Sequence, residues 1–78
     1  MTGRAEKCLV TFATTTGAMA MEQACREEGL PGRLIPVPRR ITAGCGMCWA
    51  APIEKQEALE ELAIRRRLDA DGIYRMIL

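Results

Sequence analysis

The chain has 78 residues, 11 Lys and Arg against 10 Asp and Glu for a net charge of +1, no histidine, and an apolar fraction of 49%. That size allows one domain, residues 1–78, near the lower limit at which a chain folds on its own core. The even charge gives no bias toward nucleic acid or an acidic membrane. No apolar run nears the roughly 18 residues that span a bilayer. The absence of histidine excludes mixed Cys/His zinc sites and histidine-based catalytic pairs. The opening Met1-Thr2-Gly3-Arg4-Ala5-Glu6-Lys7 does not read as a signal peptide, so a cytoplasmic location is expected. In that reducing compartment the four cysteines should be thiols.

Lys7 to Ala13 is rich in β-branched and aromatic residues and predicts a strand. Thr14-Thr15-Thr16 offers hydroxyls for an N-cap before a helix from Gly17 to Glu28, on which Ala18, Met21 and Cys25 fall at helical spacing. Gly29 is a natural helix stop and Pro31-Gly32 a turn. Arg33 to Val37 predicts a second strand. Pro36 cannot donate a ladder hydrogen bond, so this strand belongs at a sheet edge, where pairing with a second copy stays open. Pro38 to Gly46 is a loop and Met47 to Ala51 a short third strand. A second helix is expected to begin at Pro52, with glutamates early and Arg65-Arg66-Arg67 in its last turn, an order that suits the helix dipole. Leu59, Leu62, Ala63 and the stem of Arg66 should face the sheet. Asp69-Ala70-Asp71-Gly72 reads as a turn before a last strand, Ile73 to Leu78.

The order β-α-β-β-α-β predicts an α+β, ferredoxin-like fold: a four-stranded antiparallel sheet with two helices on one face. In that topology the loop after the second strand shares an end of the molecule with the start of the first helix. Cys45 should then meet Thr14-Thr15-Thr16, Arg39 and Arg40, with Arg65 to Arg67 close by.

Cys8, within the first strand, and Cys25, on the helical stripe, read as small core residues. Cys45 differs in its neighbours. Gly44 and Gly46 remove shielding side chains and free backbone N–H groups for a thiolate or bound anion. Arg39 and Arg40 add positive charge, and a helix N-terminus faces the same loop; each should favour the thiolate. Cys48 completes a C-x-x-C with Cys45. It reads as a resolving thiol, as half of a four-thiolate zinc site completed by Cys8 and Cys25 or a second subunit, or as a core residue of the third strand. The last is favoured, and no metal or cofactor is expected.

From Thr11 to Met47 the chain resembles a bacterial and archaeal family of small selenium/sulfur carrier-like proteins. The resemblance rests on Thr15-Thr16, Ala18 and Glu22, the run Gly29-Leu30-Pro31-Gly32-Arg33-Leu34-Ile35-Pro36-Val37-Pro38-Arg39, Ile41-Thr42 and Cys45-Gly46-Met47, with Asp71-Gly72-Ile73-Tyr74 near the end. Thr42 stands where the family commonly has serine, and Cys48-Trp49 replaces a small or aliphatic pair. The resemblance implies a βαββαβ domain in which Cys45 carries sulfur or selenium, with Gly44, Gly46, Arg39, Arg40 and Thr42 around it. Its partners would be donor and acceptor enzymes, with no nucleic acid or membrane. The alternatives are a thiol-disulfide or redox-sensing module using Cys45 and Cys48, and a partner- or anion-binding domain.

Overall fold

The computed structural model describes residues 5–41 and 45–78. Strand β1 (Glu6–Phe12) leads into helix α1 (Thr15–Glu28), then strands β2 (Arg33–Pro36) and β3 (Met47–Pro52). A 3₁₀ turn (Ile53–Lys55), helix α2 (Gln56–Arg65) and strand β4 (Ala70–Ile77) complete the chain. The sheet order is β2-β3-β1-β4, and β1–β3, β1–β4 and β2–β3 are antiparallel. This is the expected ferredoxin-like architecture, and Pro36 lies on an edge strand as its missing N–H requires.

Alternation along the strands separates two apolar layers. Cys8, Val10, Phe12, Trp49 and Ala51 face the helices and are buried with Ala18, Met21, Ala24 and Cys25 of α1 and Leu59 and Leu62 of α2. Leu9, Cys48 and Ala50 face the other way. Among the described residues that side carries no helix, yet it is not bare: Ile41, beyond β2, is buried there with Ile35, Val37 and Met76 packed alongside.

Both helices end in the same hydrogen-bonded motif, reached from different residues. At the end of α1, Leu30 N–H donates to Cys25 O at 2.9 Å and Gly29 to Arg26 O at 3.4 Å. At the end of α2, Leu68 donates to Ala63 O at 2.9 Å and Arg67 to Ile64 O at 3.2 Å. Each closure needs one left-handed residue, Gly29 in the first and Arg67 (φ 55°) in the second.

Three expectations are corrected. Helix α2 begins at Gln56, because Pro52 is held extended (φ −57°, ψ 142°) opposite Lys7 as the last residue of β3. Strand β4 begins at Ala70, because pairing with β1 overrides the turn propensity of Asp71-Gly72. A bulge between Thr11 and Phe12 absorbs Asp71. Arg66 does not lay its stem on the sheet: with Arg65 it pairs with Glu27 and Glu28 in the last turn of α1.

Candidate functional site

Thr14 fixes the end of β1 nearest α1: its Oγ1 accepts from Gly17 N–H at 3.1 Å and its carbonyl accepts from Ala18 N–H at 3.2 Å. Cys45 comes to this same end, where its N–H donates to Phe12 O at 3.3 Å. The parallel course of β1 and β2 thus brings the thiol to the start of α1, as the element order implies.

Cys45 is partly exposed and packs against the helix-side layer. Its Sγ lies 3.2 Å from Met47 O, to which the thiol donates, and 3.4 Å from Met47 N, from which it accepts. Gly46 makes this bend with φ 80°, a left-handed conformation that favours glycine. Its carbonyl accepts from Val37 N–H at 3.0 Å, tying the thiol loop to the end of β2. An ideal Cβ on Gly46 would meet no atom within 4 Å, so the backbone angle, not crowding, calls for glycine here.

Cys48 has no access to this site. It lies in β3 opposite Thr11 and Ile35, fully buried on the helix-free face beneath Ile41. Burial pushes its thiol up to about 11, and the nearby Cys45 adds to the rise. Cys25 is also raised to about 11, by burial and then by Glu28, and Cys8 is raised by burial and Glu60. Cys8 and Cys25 belong to the helix-side layer and Cys48 to the other, so a four-thiolate cluster would have to reach through the sheet.

The remaining expected residues separate. Arg39 and Arg40 are exposed in the turn closed by Ile41 N–H on Pro38 O at 3.0 Å. Arg40 lines a groove of about 690 Å³ with Tyr74 and Met76 beside the helix-free layer, whereas Cys45 packs on the helix side. Thr42 and Gly44 lie outside the described residues. Arg65 and Arg66 sit at the far end of α1, where Arg65 forms a two-pronged bond to Glu28 (2.8 Å each) and Arg66 bonds both Glu28 (3.0 Å) and Glu27. The physical cause is local. Glu27 and Glu28 crowd the negative end of the α1 dipole, and the two guanidiniums neutralise it. Glu28 is held down to about 2, chiefly by its bonds to Arg65.

Trp49 is core: it is 4% exposed and its indole lies under Gly32. A Cβ on Gly32 (φ 138°) would stand 2.4 Å from Trp49 Nε1, so only glycine fits at that turn. The residue pattern does not reveal that Ile41 is a lid over Cys48; its only signal is one large apolar side chain in a polar loop.

Fold and site together define a small α+β, ferredoxin-like domain that presents one partly exposed thiol on a glycine-bent loop. The family described as Putative Se/S carrier protein-like matches residues 7–75, and the chain belongs to that family. No curated protein and no solved structure matches it.

Proposed function

We propose that the protein carries sulfur or selenium on Cys45 and passes it between enzymes in a reducing cytoplasm. The observation that supports this is the isolation of Cys45: it is the one cysteine not buried among the described residues, with Met47 N–H directed at its sulfur. The Cys45 thiolate attacks the terminal sulfur of a donor enzyme's persulfide. A new S–S bond forms at Cys45 as the donor's S–S bond breaks, and the donor thiolate leaves. The acceptor thiol reverses the step, removing the outer sulfur and releasing Cys45. Neither half consumes an oxidant, and selenium follows the same path as a selenosulfide. Gly46 shapes the loop at the thiol; of the other residues the sequence suggests for the loaded anion, Gly44 and Thr42 precede Cys45 closely in the chain, and Arg39 and Arg40 supply positive charge on the turn before them.

The dithiol alternative is less favoured, because Cys48 is sealed on the opposite face from Cys45. Mass spectrometry after incubation with a small persulfide donor tests the proposal. The expected adduct of one sulfur is lost in Cys45→Ser and kept in Cys48→Ala. Absence of an adduct at Cys45, or its transfer to a Cys45–Cys48 disulfide, would sink it.

A further inference from the structure

The two edges of the sheet are built differently. The β2 edge is four residues long and ends at Pro36, with Pro38 just beyond. The β4 edge is eight residues long, Ala70–Ile77, and contains no proline and no lysine; the devices that blunt it are the bulge at Asp71 and two charges of opposite sign, Asp71 and Arg75. Among the described residues no strand lies on its outer side. The bulge confines irregularity to the first residues, and from Gly72 to Ile77 the strand keeps unbroken register with β1.

Apolar surface gathers along this edge. Of the five large hydrophobic side chains exposed among the described residues, Tyr74, Ile77 and Leu78 lie on β4 or immediately after it. A fourth, Ile64, is 79% exposed and lines a groove with Ala70 and Ile73 on the helix side of the strand. Tyr74 and Ile77 line the groove on its other side.

We propose that β4 docks against β4 of a second copy, antiparallel, to make a continuous eight-stranded sheet. Charge selects the occupant and the register. A two-fold axis normal to the sheet keeps both helix layers on one side, so directly opposed residues must come from the same face. Two central registers satisfy this, one with Ile73 opposite Ile73 and one with Tyr74 opposite Tyr74. The first alone brings Asp71 of each copy, the bulged residue at the head of the strand, across from Arg75 of the other. Both charged residues are exposed, and among the described residues neither has an ion-pair partner in its own chain. Arg75 bonds Gln56 through Nε at 3.1 Å, which holds the guanidinium near the start of α2, in a groove it shares with Glu54, Glu57 and Glu60. Opposite-charge pairs directly across two strands stabilise them and like charges destabilise them, and the symmetry doubles each effect. The interface does not depend on the chemistry of Cys45.

Sedimentation of the full chain over a concentration series tests the proposal. The expected result is a dimer whose dissociation constant rises about tenfold in Asp71→Arg and in Arg75→Asp, where like charges meet. The double variant, D71R with R75D, recovers wild-type affinity. Asp71→Asn and Arg75→Gln, which cannot repel, serve if a charge reversal alters the circular dichroism, and weaken the dimer about threefold. In the wild type, amide exchange of the β4 residues should slow as concentration rises. A chain that stays monomeric into the millimolar range overturns the proposal. So does a dimer indifferent to both charge reversals, or one that protects β2 or the helix-free face instead.

Discussion

Cys45 and Cys48 are three residues apart and occupy different worlds. The first lies in a bend, partly exposed, bonded through its sulfur to Met47 and packed at the edge of the helix-side layer. The second is in regular strand, wholly buried on the opposite face under Ile41. The cause is where β3 begins. A C-x-x-C that opens a helix sets both sulfurs on one turn, whereas here Met47 starts a strand and alternation sends Cys48 through the sheet. Spacing in sequence therefore does not make a working pair; the element that follows the first cysteine decides it.

The sharpest way to break this contrast is to label both thiols in the native protein. Iodoacetamide followed by peptide mapping should modify Cys45 a hundredfold or more faster than Cys48, because Cys48 reacts only after an opening of about 3 kcal/mol or greater. Comparable rates would mean that the helix-free face is open and that the two thiols are within reach of each other.

A smaller effect is read from pH. Burial raises Cys48 to about 11 in the folded protein, so the unfolded chain ionises first as pH climbs. Its contribution is complete below the unfolded value near 8.5 and is lost as pH rises through 11, by about 3 kcal/mol in all. Cys25 acts in the same sense. Denaturant unfolding at pH 7.5 and pH 10.5, in ordinary alkaline buffers, should therefore show a loss that is about 2 kcal/mol smaller in Cys48→Ala than in the wild type. An equal loss in both proteins would mean that Cys48 is not desolvated.

Much of the frame was legible from residue pattern. The apolar run of β1, the threonine cap and glycine stop of α1, and the proline-marked edge strand each carry a local signal strong enough to survive folding. Topology then placed Cys45 beside the start of α1, which the Cys45 N–H to Phe12 O bond bears out. What was illegible depends on contacts distant in sequence. Asp71-Gly72 looks like a turn until β1 pairs with it, and Arg65-Arg66 looks like a solvated helix end until Glu27-Glu28 approach from another helix. The sealing of Cys48 from solvent turns on Ile41, whose loop position gave no reason to expect burial.

That last point yields the gentlest test. Ile41 is 8% exposed and lies over Leu9, Cys48 and Ala50, anchored by its N–H to Pro38 O at 3.0 Å. Shortening it in Ile41→Val removes one methylene from a loop that can settle inward, so global stability should fall by only about 1 kcal/mol. The same change makes local opening of the lid easier by up to that amount, so Cys48 alkylation should quicken by about fivefold while the Cys45 rate stays fixed. If both rates rise together, the loop moves as one body and the two faces are coupled through residues 37–46. If only Cys48 responds, the lid and the thiol loop are separate devices, joined at the Val37 N–H to Gly46 O bond but opened independently.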